Sequence, residues 1–382
     1  MRKFFIVIIG LFLLAGFTLP AQAAKEVKFG VITQLSGGMA LYGTNVWRGA
    51  QIGVEEINAM GGATVAGEKY LLNPIVFDDE AKPDKALAGG KRISSMHKVP
   101  LIYTPASLSG FPLLGINEKE GFIVMCTSQS PPFTEKGNKL AIRHINSVSR
   151  TMKPWIQFCL KTFENRNLNV ANAGVMIVNT ELGRYWANEF MKEWQAVGRN
   201  VVEKVSYSTE ETDYYTQLTA LLAKKPEMIV LTTVAEASAR VIKQARQLGY
   251  TGIFLNSVAG DPRQLNSLVP PQQLEGTFVE VGRWDYREEA AMAFIKKYQA
   301  KHPGEDPQFS AALAYEGVGL FAKALEIAGN TTDPYQIRAA FPKAYPLPNS
   351  IFLIRDLDEK GDVLMPVFLV EFKGGKILPV KD

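Results

Sequence analysis

The apolar residues of this chain fall into short uninterrupted runs, separated by segments with helical spacing. Val27–Thr33, Leu71–Asp78, Val99–Tyr103 and Phe122–Cys126 read as strands. Between the first two, Val46, Ala50, Val54 and Ile57 recur on one helical face, with Thr44 as the expected N-cap and Gly61-Gly62 as the stop. Pro83 in a first turn opens the next helix, and another is expected from about Ser109 to Gly121. The pattern then restarts. Ala173–Asn179, Val201–Tyr207, Glu227–Thr233 and Gly252–Asn256 read as strands, alternating with helices over Gly183–Val197, Asp213–Lys224 and Ala235–Leu248.

Runs of Val, Ile and Leu without polar alternation mark parallel strands buried on both faces. Two such series predict an α/β protein of two doubly wound parallel-sheet lobes. The final third adds helices at about Glu288–Lys301 and Ser310–Ala328 and a hairpin, SIFLIRDLD-EKGD-VLMPVFLVEF, expected to turn at Gly361. Two helices and a hairpin cannot wrap a third core. The tail is therefore expected to complete both lobes, with several crossovers between them, an arrangement suited to a hinged clamp around a cleft.

The amino end adds a compartment. Arg2 and Lys3 precede an uncharged run from Phe4 to Leu19, and Pro20-Ala21-Gln22-Ala23 has the small-x-small ending of a signal-peptidase site. The run, roughly 16 residues, is shorter than the ~20 of a membrane span. Residues 1–23 are thus expected to be a cleaved signal peptide and the mature chain to be periplasmic; an uncleaved anchor is the competing reading. No cysteine lies near the cleavage point to carry a lipid. Removing Arg2 and Lys3 takes the basic count from 42 to 40, against 38 acids. That near balance offers no electrostatic case for nucleic acid. Cys126 closes an apolar strand and Cys159 sits mid-helix; an oxidising compartment permits a disulfide between them, and two separate buried thiols are the alternative.

Signatures of enzyme chemistry are missing. His97, His144 and His302 are far apart, and none stands at metal-ligand spacing from a Cys, Asp or Glu. There is no G-x-S-x-G elbow and no Walker loop. Asp78-Asp79-Glu80 reads as a solvated helix start rather than as a carboxylate pair. Ser36-Gly37-Gly38 follows the first strand as a phosphate loop would, but Met39-Ala40-Leu41-Tyr42 stands where a pyrophosphate must approach backbone. No catalytic residue, metal or cofactor is expected.

The stretch QLSGGMALYGTNVWRGAQIGVEEINAMGG resembles the start of periplasmic solute-binding proteins of the branched-chain amino-acid (leucine/isoleucine/valine-binding) type. FDDEAKPDKA, EGFIVMCTSQSPPFT, IKQARQLGY and DEKGD follow in the order that family shows, over essentially the whole mature chain. The resemblance implies a type I periplasmic binding fold, with one lobe from 25 to 145 plus 283 to 349 and the other from 146 to 282 plus 350 to 382. It implies a monomer that captures a small-molecule solute by hinge closure and delivers it to an inner-membrane ABC permease. A ligand-binding sensor domain shares the fold, but usually continues into a membrane span, whereas this sequence stops at Asp382.

Open α/β sheets bind ligands beyond the carboxyl ends of their strands. Thr104-Pro105-Ala106-Ser107 follows one such strand, where a hydroxyl and free backbone N–H groups suit a carboxylate. By resemblance Ser107 matches the serine that holds the solute's carboxylate; the competing reading is that Ser107 or Ser109 caps the helix. Thr127, Ser128 and Gln129 fall where that family offers a backbone and a hydroxyl contact. The second lobe departs from the family. Leu182 and Val234 stand where tyrosines are usual, and Val258 where an acid would meet an ammonium. Glu236 and Asp261 are candidate substitutes, although each also reads as a surface acid at a helix start. The acid-binding side is thus expected to be kept and the amine-binding side lost, which points to a small or aromatic carboxylate, with a branched-chain amino acid as the close alternative. Tyr42, Tyr103, Trp186 and Trp284 are candidate walls of the pocket, in competition with plain core packing.

Overall fold

The computed structural model describes residues 24–208, 210–282 and 286–381. The expected signal peptide, residues 1–23, and Trp284 lie outside the described residues. A first sheet of six strands collects β1 (Lys25–Thr33), β2 (Ala63–Val65), β3 (Glu68–Asp78), β4 (Leu101–Thr104), β5 (Ile123–Cys126) and β6 (Ala141–Arg143), in the order β2-β3-β1-β4-β5-β6. Its helices are α1 (Ala40–Ala59), α2 (Pro83–His97), α3 (Ser107–Leu114), α4 (Asn117–Glu120) and α5 (Pro132–Glu135). All its pairings are parallel except β2 with β3.

The chain then crosses to a second sheet through α6 (Val148–Asn165). Here β7 (Asn172–Val178), β8 (Asn200–Tyr207), β9 (Met228–Thr232), β10 (Ile253–Asn256) and β11 (Thr277–Val281) are parallel. They alternate with α7 (Glu181–Ala196), α8 (Tyr215–Leu222), α9 (Ala235–Gln247), α10 (Pro262–Leu268) and α11 (Pro271–Leu274). The chain returns to the first lobe for α12 (Glu289–Lys301), α13 (Phe309–Ala328) and α14 (Pro334–Ala344). It ends back in the second sheet with β12 (Phe368–Lys373) and β13 (Lys376–Pro379), both antiparallel, giving the order β13-β12-β11-β10-β9-β7-β8.

In each sheet the winding reverses beside its first parallel strand. The crevices therefore open between the carboxyl ends of β1 and β4 and between those of β7 and β9. Apolar runs produce this layering because each sheet is covered on both faces. Val27, Phe29 and Val31 point to the core beneath α1 and α13, while Ile32, Ile102 and Val124 pack toward α2 and α3. The backbones of α1 and α13 come very close: a Cβ on Gly49 would stand 1.9 Å from the Ala311 carbonyl oxygen.

Several expectations change. The first helix starts at Ala40, whose N–H is accepted by the Gly37 carbonyl at 3.2 Å, so Thr44 lies inside it and caps nothing. The single helix expected over 109–121 is two, because the chain breaks around Gly115 after Pro112. The predicted hairpin across Ser350–Phe372 shrinks to one bridge between Leu357 and Val363. Its alternating apolar residues serve packing instead: Ile351, Phe352, Ile354, Leu357, Val363 and Met365 insert into the first-lobe core. From Phe368 the chain joins the second sheet. The actual C-terminal hairpin is β12–β13, turning on Gly374 and Gly375, both with positive φ. Cys126 and Cys159 are free, buried thiols in different cores.

Candidate functional site

The turn after β1 is held by the acids at the end of β3 and just beyond it. The Leu35 N–H donates to Asp78 Oδ1 at 2.9 Å and the Ser36 hydroxyl to Asp78 Oδ2 at 2.6 Å. Burial opposes ionisation of Asp78, but the Ser36 hydroxyl and the backbone N–H groups of Glu80, Leu35 and Ser36 outweigh it and hold the carboxyl below its usual range. Asp79 is fully buried; it accepts from Gln34 Nε2 at 3.1 Å and from the Ser109 hydroxyl. The expected solvated acidic cluster is therefore a clamp that ties β1, β3 and α3 together beneath the lip. Gly43 completes it, because a Cβ there would stand 1.8 Å from the Gln34 carbonyl oxygen. The backbone that approaches this glycine is the chain's own, not a phosphate.

The loops after β4 and β5 are knitted to each other. Ser107 Oγ and Ser128 Oγ lie 2.6 Å apart, the Thr127 hydroxyl donates to the Pro105 carbonyl at 2.7 Å, and the Thr127 N–H reaches the Thr104 carbonyl at 3.3 Å. The N-cap of α3 is Ala106, with no side-chain cap, so neither Ser107 nor Ser109 plays that role. This leaves hydroxyls beside an uncapped helix start, where backbone N–H groups favour an anion. Tyr42 leans over the same loop, its hydroxyl 3.4 Å from the Pro105 carbonyl and its ring 6.4 Å from that of Phe309. Burial pushes its phenol up to about 12, so it stays a neutral donor. Tyr103 lies deeper, 3% exposed in the first-lobe core. Gln129 reaches a small cavity at the seam between the lobes.

Across the cleft, Leu182 and Val234 flank the second crevice, at the starts of α7 and α9. Val234 is 52% exposed, whereas Leu182 leans on the second-lobe core. Trp186 stacks on Phe190 at 5.6 Å and meets Trp155 edge-on in that core, the packing that competes with a place in the pocket wall. Glu236 is exposed and accepts from Gln264, while the half-buried Asp261 caps α10 through the N–H groups of Arg263 and Gln264. Val258 lines the seam cavity with Gln129 and with Glu280, a buried acid that pattern reading passed over. Its signal was present: a lone carboxylate in the apolar run Thr277-Phe278-Val279-Glu280-Val281.

The loop carrying Ser128 is anchored from behind by Arg143, which is fully buried. Its guanidinium donates to the carbonyls of Ser128, Ser130 and Pro131 at 2.9, 2.7 and 2.9 Å, to Thr134 Oγ1 at 2.8 Å and to Asp362 Oδ1 at 2.6 Å. Among the described residues no group of His, Cys, Asp and Glu is arranged to hold a metal, and no helix is long and apolar enough to cross a membrane.

Known proteins match this arrangement along its length. The profile of the family described as "Periplasmic binding protein" matches residues 26–376. The leucine-, isoleucine-, valine-, threonine- and alanine-binding protein of Pseudomonas aeruginosa is 23% identical, over 92% of this chain and 90% of that protein. In fold the chain is similar to the leucine-binding protein LivK of Thermotoga maritima, with TM-score 0.78 and 24% identity over 93% of this chain and 98% of that one. It is also similar to a solute-binding protein from R. palustris solved with benzoate, with TM-score 0.74 and 16% identity over 93% and 95%. Two doubly wound lobes, a cleft between their carboxyl edges and a match spanning both place this chain in the periplasmic binding protein family.

Proposed function

We propose that the protein is the periplasmic solute-binding component of an ABC importer, exported by residues 1–23 and acting as a monomer. Its solute is a small organic molecule bearing a carboxylate. The observation that carries this is the hydroxyl cluster of Ser107, Thr127 and Ser128 beside the uncapped start of α3. Solutes named for relatives differ in their apolar part, from leucine and isoleucine to benzoate, but all carry a carboxylate. Sheet membership and core packing support lobes of 25–145 with 283–365 and 146–282 with 366–382.

The first lobe takes the carboxylate through hydroxyl and N–H groups, and Tyr42 covers it from the lip. Leu182, Val234 and Val258 then close an apolar surface over the rest of the solute. A micromolar solute supplies about 8 kcal/mol, enough to move a hinge balance of a few kcal/mol to the closed form that a permease recognises. Calorimetric titration with amino acids and simple carboxylates tests the reading. Binding should weaken about tenfold or more in S107A, and a carboxylate ligand unaffected by S107A and T127A together would overturn the assignment.

A further inference from the structure

A cavity of about 640 Å³ opens in the first lobe, where the end of α1 faces α12, α13 and the loop from Leu347 to Leu353. None of the described residues assigned to the cleft lines it. Its volume suits a small organic molecule. Short side chains keep it open: Gly319 and Ala322 of α13 and Ala290 and Ala293 of α12 all line it, so the facing helices fill little of the space between them. A Cβ on Gly319 would approach Leu347 Cδ1 at 3.4 Å, a van der Waals distance.

Glu316 builds the wall opposite α12. It accepts from the Ser350 hydroxyl at 2.8 Å and from the Ile351 and Phe352 N–H groups at 2.7 and 3.3 Å, which pins the 347–353 loop to α13. In that loop Leu353 is held at φ 53°, a left-handed conformation that apolar side chains rarely adopt. Such backbone persists only where its surroundings over-determine it, and it clusters at functional sites.

The lining defines the occupant. Ile57, Phe294, Ile351 and Leu353 supply apolar surface, and Met60, 68% exposed, adds an adaptable side chain at the rim. The Phe294 and Tyr315 rings, 4.8 Å apart, add an aromatic wall. Lys297 is engaged by Glu56 at 2.7 Å and Lys323 by Glu326 at 3.2 Å. Glu288, Glu289 and Glu316 come in addition, so among the described lining residues five carboxyls stand against two ammonium groups.

We propose that this cavity is a second ligand site and takes an organic cation, an ammonium group on an apolar or aromatic body. The body displaces water from the apolar lining, and the ammonium answers the surplus of acid. A plain carboxylate meets repulsion here, so the cavity selects the charge opposite to the one the hydroxyl loops favour. Because its walls all belong to one lobe, binding needs no hinge closure, and the site stands whatever the cleft takes.

The test follows the mature chain by methyl NMR as 2-phenylethylammonium is added, with 2-phenylethanol and 3-phenylpropanoate as neutral and anionic counterparts. Shifts should gather at Ile57, Met60, Ile351 and Leu353, and the ammonium should bind about tenfold or more tighter there than either counterpart. G319L puts a side chain into the cavity at a helical position that favours leucine over glycine. It should weaken the amine about tenfold or more and leave the affinity of cleft ligands unchanged. E289K, at an exposed position, should weaken it several-fold by reversing one charge of the lining. Amine binding untouched by both variants, shifts confined to the cleft loops, or the alcohol binding as tightly as the ammonium would each overturn the site and leave solute capture standing. No binding at millimolar amine would overturn it too. A chain that dimerises until G319L is introduced would give the cavity to a second copy and overturn the small-molecule occupant.

Discussion

Arg143 and Asp362, 219 residues apart in sequence, meet at 2.6 Å in an ion pair buried on both sides. The pair joins the loop that carries Ser128 to the segment leading into the last crossover, and Thr134 bonds to both partners. All the guanidinium's directions are used, a geometry that lysine's point charge cannot reproduce. R143K should therefore destabilise the protein by roughly 3 kcal/mol, in the range for breaking a buried pair, and weaken solute binding as the 128–131 loop loosens. Urea unfolding and titration of the same preparation check both; unchanged values in R143K would remove the strut from the account.

The clamp under the lip makes a separate prediction. Asp79 accepts from Gln34 and Ser109 together, so D79A leaves the buried Ser109 hydroxyl without its acceptor and Gln34 with Ser109 Oγ in place of a carboxylate. The expected cost is about 2 kcal/mol, with faster amide exchange confined to residues 34–40. Uniform exchange across the lobe would show that the acid acts globally instead.

Trp186 belongs to a ladder with Trp155, Phe190 and Trp194. W186A should cost about 3–5 kcal/mol of stability and leave solute affinity within about twofold. A larger loss of affinity with stability intact would return this ring to the pocket wall.

Glu316 predicts a pH effect. Burial raises its carboxyl from the ordinary 4.5 to about 7, against the opposing bonds of Ser350, Ile351 and Phe352. The folded state then holds more protons than the unfolded one between those values, so stability contributed at low pH is lost as pH rises through the window. Wild type should lose on the order of 3 kcal/mol relative to E316Q between about pH 5 and pH 8. His144 works in the opposite sense: burial lowers it to about 4, so it costs stability as pH falls below the ordinary 6.5. Comparing wild type with E316Q isolates the carboxyl, and a pH-independent difference between them would contradict the assignment.

Uninterrupted apolar runs announced the parallel strands, since each must be buried on both faces, and their order announced two lobes. The hydroxyl loops were legible because they follow strand ends. The Asp78–Asp79 clamp was not, because a carboxylate's partners come from residues distant in sequence, whereas Glu280 was marked by its place in an apolar run and passed over. The segment 351–365 misled for a related reason: alternation reports which side of an extended chain is buried, not whether another strand pairs with it.

The chain's three crossings also set the order in which it can be finished. Ile351–Met365, which fill the first-lobe core, and β12–β13, which close the edge of the second sheet, follow every other described element in the chain. Neither lobe has its complete interior until its own late segment is in place. A chain stopped short of Ile351 would therefore leave both interiors open, the first lobe's for want of a filling and the second sheet's for want of its antiparallel edge.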